Sequence, residues 1–412
     1  MKRILVVAQF TQLPGESGNN RSRFKYICEL LSTCGYQVTQ VTSRFRDLDK
    51  VQRKLTSDQF ENIPYDIQIL EDPGYKKTVS LKRFYSQKVF ARNLKKWLST
   101  QDGYDLIYCS GPPAEGMLVA GSYANERGIP FVVDIQDLWP EAFYTIVNSK
   151  PLADLLLYPM KSQVNRAYRM ADGIVGVSKT YSQRAASVNK NNPIVESVFI
   201  GTNLDDFDKS SNEVIERIEK QDNEFWVTYA GSLNLSYDIE TLIRAVKILS
   251  DRDYHIVKLV ILGSGIMEEK FRKLAETMQV SVLFTGWIDY GTMAAYLRKS
   301  DLLVNAIREK AAQSITNKIG DYVSAGVPII NGSKNQEFMD LVEEWDMGIN
   351  YEPEKPEAMA NAILEVYRES PERRKTMGQN ARKLAEEKFD RKKTYLKITD
   401  LIDKLLDGQR GD

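Results

Sequence analysis

The chain has 412 residues, which is too long for one typical hydrophobic core and predicts two or three domains. Its 56 Lys and Arg residues balance its 56 Asp and Glu residues, so we expect no general affinity for nucleic acid or anionic lipid. No segment approaches the roughly 18 uncharged apolar residues of a membrane span, and the three cysteines lack metal-ligand spacing. These features are typical of a cytoplasmic protein with reduced thiols.

Short apolar runs alternate with amphipathic stretches over the first 200 residues. The runs predict strands at 4–8, 37–42, 67–70, 106–109, 131–134, 173–177 and 195–200. The stretches between them predict helices, such as those at 21–34, 114–127 and 152–170. This alternation is typical of an α/β fold with a doubly wound parallel sheet.

A turn-rich and polar stretch follows at 201–223, after which the same rhythm returns. Strands are predicted at 225–230, 258–262, 282–285, 302–305 and 327–330, and the tail from about 356 contains three helical stretches. We therefore predict one Rossmann-like domain at 1–200, a linker at 201–223 and a second Rossmann-like domain at 224–388. A last helix at 389–412 is expected to cross back to the first domain. Ligands in such folds bind at the carboxyl ends of the strands, in a cleft between the domains.

The most informative segment is 316–330, which predicts a short helix running into a buried strand. Its cap is a threonine or asparagine, and Gly326 ends it. Lys318 lies in the first turn, where the helix macrodipole favours an anion, and Asp321 follows on the same face. A cation for phosphate and a carboxylate for hydroxyls suit a sugar nucleotide. The alternative is an ordinary amphipathic helix with surface charges.

Glycine follows three predicted strands of the second domain, at Gly231, at Gly263 with Gly265, and at Gly286. Glycine allows the backbone to approach a ligand closely. One such glycine would indicate only a tight turn. Together with Lys318, the set predicts a floor for a nucleotide.

Two loops of the first domain are candidate ligand sites. The loop after the first strand carries Gly15, Gly18, Asn19 and Asn20 but lacks a dinucleotide or P-loop pattern, so a plain connecting loop is the alternative. The loop after the strand at 131–134 places polar groups, including Gln136 and Asp137, at a carboxyl edge. Helix capping by Asp137 is the alternative there.

The only histidine, His255, precedes a strand in the second domain and has no ligand-type neighbours, so we interpret it as structural. A histidine general base in the first domain is therefore excluded.

The segment 75–97 carries a basic stripe without any acidic residue, interleaved with apolar side chains. It resembles an interfacial amphipathic helix that would contact an anionic membrane, although a solvated helix face is the alternative. Its cations are Lys76, Lys77, Lys82, Arg83, Lys88, Arg92, Lys95 and Lys96.

The order and spacing of these motifs resemble the retaining GT-B glycosyltransferases of family 4, in the branch that builds capsule, O-antigen and exopolysaccharide repeats. The resemblance covers essentially the whole chain. It implies the GT-B fold, with two Rossmann-like domains facing each other across a cleft and C-terminal helices. The motifs that carry it are 137–141, 201–203 with Asp205 and Phe207, Gly231, 263–265, 284–286, 317–318, 321–322 and 325–328.

The resemblance also implies roles for individual residues. The catalytic positions are Asp137, Gln136 and Gln313, and the acceptor would bind near Gly15, Gly18, Asn19 and Asn20. The donor-binding positions are Gly231, Ser232, Gly263, Gly265, Gly286, Arg308, Asn317, Lys318 and Asp321.

The chain departs from the family pattern at several of these positions. The two glutamates of the E-x7-E signature fall on Gln313 and Asp321, and the frequent histidine after the fifth strand falls on Gln136. The usual arginine after the first glycine of the second domain is Ser232, which leaves phosphate charge to Lys318 and Arg308.

The resemblance implies a hexosyltransferase-type enzyme that moves a sugar from a nucleotide-diphosphate sugar, a UDP-sugar for preference, to a saccharide or polyprenyl-diphosphate-linked acceptor. We expect no cofactor and no metal, because Lys318 supplies the positive charge at the leaving group. The expected location is the cytoplasm, peripheral on the inner membrane face. A sugar-nucleotide epimerase of the same shape and a catalytically degenerate scaffold subunit are the alternatives.

Overall fold

A computed structural model describes residues 1–16, 22–55, 59–78, 80–145, 150–311 and 315–408. The chain divides into two compact units. Unit 1 comprises Met1–Val198 with Tyr395–Asp412, and unit 2 comprises Phe199–Thr394. Each unit contains a parallel sheet with helices, so the predicted α/β class with two Rossmann-like domains is confirmed.

The sheet of unit 1 has seven parallel strands in the order β5-β2-β1-β6-β7-β8-β9. The order reverses between β1 and β6, which is the switch point of a doubly wound sheet. A small antiparallel hairpin, β3–β4, follows β2. The strands are β1 Arg3–Val7, β2 Gln37–Ser43, β3 Phe45–Arg46, β4 Val51–Gln52, β5 Asp66–Leu70, β6 Leu106–Gly111, β7 Phe131–Ile135, β8 Gly173–Gly176 and β9 Ile194–Ser197.

The sheet of unit 2 has six parallel strands in the order β12-β11-β10-β13-β14-β15. Its central strand β10 is buried at every position, as expected for a strand covered on both faces. The strands are β10 Phe225–Ala230, β11 Val257–Leu262, β12 Val282–Gly286, β13 Leu302–Asn305, β14 Ile329–Asn331 and β15 Gly348–Asn350.

Helices connect most of these strands. Those of unit 1 are α1 Arg23–Thr33, α2 Leu81–Leu98, α3 Ala114–Arg127, α4 Lys150–Arg169, α5 Lys179–Ala186 and α15 Leu396–Gly408. Those of unit 2 are α6 Leu204–Asn212, α7 Ile239–Asp251, α8 Glu268–Thr277, α9 Tyr290–Lys299, α10 Lys318–Ala325, α11 Gln336–Glu344, α12 Pro356–Arg368, α13 Pro371–Leu384 and α14 Arg391–Thr394. Among the described residues, no helix is both long enough and apolar enough to cross a membrane.

Every strand predicted from the sequence overlaps an observed strand, and β10 and β13 have the predicted bounds. The strands that we did not predict, β3, β4 and β15, have two or three residues each. A run of that length is too short to show a period of two.

Residues 201–223, which we predicted as a linker, belong to unit 2. They include helix α6, whose Asn203 cap accepts a hydrogen bond from the Asp206 amide at 3.4 Å. Phe207 of this helix is fully buried in the core of unit 2. Burial of Phe207 together with Leu204 fixes a segment whose composition is otherwise that of a loop.

A buried ion pair holds the C-terminal segment within unit 1. Arg23 of α1 donates to Asp134 of β7 at 2.7 Å, and both side chains are almost completely buried. Arg23 also donates to the Val198 carbonyl and to the Tyr395 hydroxyl, each at 3.1 Å. Unit 1 ends at Val198 and resumes at Tyr395 along the chain, and the Arg23 guanidinium thus binds both of these residues.

Candidate functional site

The carboxyl edge of the sheet in unit 2 is built around glycine. Gly231 follows β10, Gly263 follows β11, and Gly286 ends β12, so the three lie on neighbouring strands. The Gly231 amide donates to the Leu262 carbonyl and the Gly263 amide donates to the Gly286 carbonyl, both at 2.9 Å. The predicted meeting of glycine-bearing strand ends therefore exists in the fold.

Close backbone packing requires glycine at two positions after β11, Gly263 and Gly265. Gly263 has a φ of 125°, and a Cβ there would lie 2.1 Å from the Gly231 carbonyl oxygen. A Cβ on Gly265 would lie 2.3 Å from the Leu233 carbonyl oxygen. Gly286 also favours glycine through its φ of 67°, but a Cβ there would meet no atom within 4 Å. The first two glycines serve close packing of the loops, and open space remains beside the third.

Lys318 extends from the first turn of α10 to the end of β10. Its Nζ donates to the Tyr229 hydroxyl at 3.2 Å and lies 4.2 Å and 3.7 Å from the ring centroids of Tyr229 and Tyr237. A Cβ built on Gly231 would be 3.3 Å from this nitrogen. The cation therefore stands directly beside the first glycine-bearing strand end.

No carboxylate of the described residues forms an ion pair with Lys318. Burial lowers its pKa well below the ordinary lysine value, because aromatic rings replace water around the ammonium. The rings stabilise a cation only weakly compared with a carboxylate. An anion placed here would favour the charged form of a lysine that has no carboxylate partner among the described residues.

Asn317 occupies the cap position of α10, but its side chain makes no capping hydrogen bond. The helix thus begins at one of the two residues predicted as its cap, but the Asn317 side chain does not cap it. The end of the helix is as expected, since Gly326 adopts a left-handed conformation with a φ of 68°.

Asp321 is bound by other side chains of unit 2. Its Oδ1 accepts from the Thr202 hydroxyl at 2.9 Å and from the Tyr290 hydroxyl at 3.2 Å, and the residue is 7% exposed. Lys318 and Asp321 therefore engage different partners, although they are three residues apart on one helix. That Asp321 binds a ribose stays a prediction.

Arg308 and Ser232 also stay predictions as donor-binding residues. The Arg308 guanidinium pairs with Glu354 at 3.2 Å, so part of its charge is already balanced. Ser232 is exposed, and its carbonyl accepts from the Tyr229 hydroxyl at 2.9 Å. The tyrosine thus links the Ser232 turn to the Lys318 ammonium.

In unit 1, Asp137 lies in the turn after β7. Its Oδ1 accepts from the Leu138 amide at 2.9 Å and its Oδ2 accepts from the Trp139 indole at 3.1 Å. The backbone N–H of the neighbouring Gln136 donates to the Gly111 carbonyl at 2.9 Å. This bond connects the turn to the end of β6. Asp137 therefore organises its own turn at the carboxyl edge of the sheet.

A cavity of about 650 Å³ opens beside the first loop of unit 1. Its wall mixes apolar, amide and charged groups, and the Arg53 charge is paired with Glu16 at 2.6 Å. The lining residues are Gly15, Glu16, Arg46, Val51, Gln52, Arg53, Lys54 and Gln59. The β3–β4 hairpin, which we did not predict, supplies much of that wall.

Four predicted site residues lie outside the described part of the chain. They are Gln313, Gly18, Asn19 and Asn20.

Sequence reasoning missed Tyr229, Tyr237 and Thr202, which hold the two charged residues of α10. Tyr229 and Thr202 lie inside motifs that we singled out for their glycines. The sequence offered one signal, for Tyr229. Side chains alternate along β10, so a residue two positions before Gly231 is expected on the same face as that glycine.

His255 is exposed, and it contacts only Ser250 at 3.2 Å and Asp253 at 3.6 Å among the described residues. These neighbours lie next to it in the sequence, at the start of β11 and away from the glycine-bearing strand ends.

Residues 210–384 match the family Glycosyl transferases group 1. The matched region contains the glycines at the strand ends of unit 2, Lys318 and Asp321. A curated relative, an uncharacterized glycosyltransferase of Methanocaldococcus jannaschii, is 22% identical over 241 residues, or 58% of this chain. The chain matches about 60% of the length of that relative.

Solved structures resemble the chain over nearly its whole length. Sucrose-phosphate synthase from Thermosynechococcus elongatus superposes with a TM-score of 0.73 at 18% identity, covering 99% of this chain and 100% of the other. The Anabaena protein HepE, solved in complex with UDP, superposes with a TM-score of 0.69 at 14% identity, covering 98% of this chain and 100% of the other. The chain thus has the GT-B fold, and that prediction is confirmed.

Proposed function

We propose that this protein is a retaining glycosyltransferase of family 4 that transfers a sugar from a nucleotide-diphosphate sugar to a saccharide acceptor. The observation that carries the proposal is the Lys318 ammonium, which lies beside a glycine-bearing strand end without a carboxylate partner among the described residues. It lies within the region that matches Glycosyl transferases group 1. The UDP bound by the similar protein HepE supports a UDP-sugar as the donor.

In this proposal, unit 2 binds the donor and Lys318 stabilises the departing diphosphate. Charge that develops on the leaving group is best stabilised by a cation held in place beforehand, in surroundings with little water. The aromatic rings of Tyr229 and Tyr237 meet both conditions. We expect this cation to suffice without a metal.

In the retaining route that we propose, the acceptor attacks the sugar on the face from which the diphosphate leaves. The leaving phosphate can then take the acceptor proton, so no histidine base is needed. This route fits a chain whose one histidine, His255, is exposed and lies next to Asp253. Gln313 would contact the donor sugar through its amide.

In the same proposal, unit 1 binds the acceptor. The cavity beside Gly15 offers the amides of Gln52 and Gln59, the carboxylate of Glu16 and the cation of Lys54, which are groups that bind sugar hydroxyls. Asp137 and Gln136 occupy the carboxyl edge of the same sheet. A polyprenyl-diphosphate-linked saccharide in bacterial surface polysaccharide synthesis is the acceptor that we favour.

Helix α2 is proposed to bring unit 1 to the anionic inner membrane face. Lys82, Lys88, Arg92 and Lys95 are exposed on it. Arg83 differs, because it is half-buried, donates to the Thr78 carbonyl and lies 4.9 Å from the ring of Trp139. A charge-removal variant should therefore spare Arg83.

The function is tested by measuring sugar transfer directly. Purified protein is screened for thermal stabilisation by nucleoside diphosphates and sugar nucleotides, since a ligand that binds only the folded state raises the melting temperature. The stabilising donor is then incubated with lipid-linked saccharides, with and without EDTA, and the anomeric configuration of the product is determined. We expect transfer with retention in both conditions.

Other outcomes would contradict the proposal. Donor binding without turnover on any acceptor of the panel would indicate a scaffold subunit. Release of an epimerised sugar in the absence of acceptor would indicate an epimerase.

A further inference from the structure

The first half of helix α4 presents apolar side chains to solvent. Leu155 and Leu156 are 73% and 60% exposed, and Leu152 and Tyr158 are 49% and 68% exposed. The three leucines are spaced i, i+3 and i+4, so they form one stripe along the helix. A contiguous apolar stripe on a surface is typical of an interaction site.

This stripe is not the face by which α4 packs on its own unit. Ala153, Val164 and Ala167 form that inner face and are fully buried. The helix thus has two apolar faces in its first half, of which unit 1 covers only one. Packing within unit 1 does not explain why the second face is apolar.

The outer face of α4 changes character along the helix. Beyond Tyr158 its exposed residues include Lys161, Arg166 and Arg169. Asp154 is the acidic residue within the stripe, and its Oδ1 accepts from the Tyr144 hydroxyl at 2.5 Å. Exposed apolar side chains accompanied by cations are typical of a helix that lies at a bilayer interface, where Lys and Arg reach the headgroups.

The start of α2 lies close to the segment that leads into α4. Phe84 of α2 contacts Phe143 with ring centroids 6.4 Å apart, and helix α3 packs against both α2 and α4. On α2, Leu81 and Tyr85 are 87% and 63% exposed. We name the set Leu81, Tyr85, Leu152, Leu155, Leu156 and Tyr158 the apolar edge.

The apolar edge lies at the start of α2 and in the first half of α4. Helix α2 follows β5 and helix α4 follows β7, and both strands belong to one parallel sheet. Helices that follow parallel strands begin near the carboxyl edge of the sheet. The turn containing Asp137 lies at that same edge.

We propose that the apolar edge inserts into an anionic lipid bilayer, with the exposed cations of α2 on the headgroups around it. We favour an anionic bilayer over other partners because the basic stripe at 75–97 contains cations and no carboxylate. The proposed function supplies only the purpose of this insertion, which is to present the cavity of unit 1 to a lipid-linked acceptor. Insertion goes beyond electrostatic attachment, since salt screens charges and does not remove apolar contacts.

The test is binding to vesicles of phosphatidylglycerol and phosphatidylcholine, measured by sedimentation without donor or acceptor. Wild type should bind at low salt and keep a bound fraction at 1 M salt, where the Debye length is about 3 Å. The variant Leu155→Ser/Leu156→Ser should lose that fraction, with a partition coefficient lowered at least about tenfold. The matched control is Leu396→Ser, which removes a leucine that is 46% exposed on α15. Thermal unfolding verifies that each variant is folded.

A fluorescent label measures insertion separately. The environment-sensitive dye NBD is attached at Leu155→Cys, or at Lys404→Cys on α15, after the exposed Cys34 is replaced by serine. Vesicles should shift the emission at position 155 to the blue, and quenchers placed in the acyl chains should quench it, with neither effect at position 404.

Three outcomes would overturn the inference. They are an unquenched label at position 155, complete release of wild type by salt, and equal binding by the leucine variant and wild type. Self-association that the leucine substitutions abolish, without any lipid binding, would identify a second copy of the chain as the occupant instead. Because no sugar transfer is measured, none of these results depends on the catalytic proposal.

Discussion

Loss of the Lys318 ammonium should weaken the binding of nucleoside diphosphates without weakening the fold. The perturbation is Lys318→Met, which keeps an unbranched apolar stem beside the rings of Tyr229 and Tyr237, with Lys318→Ala as the truncation. Burial lowers the lysine pKa in the folded protein below its value in the unfolded chain. Burying the charged form therefore destabilises the free protein. This penalty is full below the folded-state pKa and declines as pH rises from there to the higher unfolded-state pKa. Methionine should leave the melting temperature unchanged or raise it.

The magnitude follows from the contacts that the ammonium makes and lacks. Its neighbours are a phenol oxygen at 3.2 Å and two rings, so a diphosphate oxygen would be its first anionic partner. A charge-assisted hydrogen bond contributes about 1–3 kcal/mol, which corresponds to roughly a 5- to 150-fold increase in Kd for the variants. Binding should also raise the pKa of Lys318. Wild type should therefore take up protons on binding UDP, and its affinity should fall as pH rises above the free-state pKa.

The assay is titration calorimetry with UDP in buffers of different ionisation enthalpy. Proton uptake should appear with wild type and vanish with Lys318→Met. The matched control is Lys334→Met, since Lys334 is an exposed lysine of unit 2 that pairs with Glu352. Unchanged UDP affinity in the Lys318 variants, with the fold intact, would refute the assignment of the cation to the diphosphate.

Three further predictions concern the same site. Thr202→Val keeps the shape of the side chain but removes the hydrogen bond to Asp321, so it should cost about 1–3 kcal/mol in unfolding free energy and weaken donor binding; an unchanged denaturation midpoint would show that this bond contributes nothing. Gln313→Ala should lower turnover more than donor affinity and Gln313→Glu should be tolerated, whereas wild-type turnover in both would remove Gln313 from the sugar site. Activity should persist in EDTA, and its loss, with recovery on adding manganese or magnesium, would contradict the role given to Lys318.

The sequence by itself determined the elements and their class. Buried parallel strands read as continuous apolar runs, and this local pattern located β10 and β13 to the residue. It also placed glycine at the ends of β10, β11 and β12 and a lysine in the first turn of α10. Those are short-range properties, because each depends on a period of two or 3.6 residues or on the conformational freedom of glycine.

The tertiary structure alone decided what those residues contact. Asp321 accepts from Thr202, which is 119 residues away in the chain, and Lys318 meets Tyr229, which is 89 residues away. Strand order brings such residues together, and no local pattern encodes it. Likewise, periodicity gave helix α4 its apolar residues, but only packing showed that Ala153 is covered while Leu155 is not. Whether a side chain is buried depends on the neighbours that it acquires on folding. The sequence therefore identifies candidate residues, and the tertiary structure determines which of them are buried and what they contact.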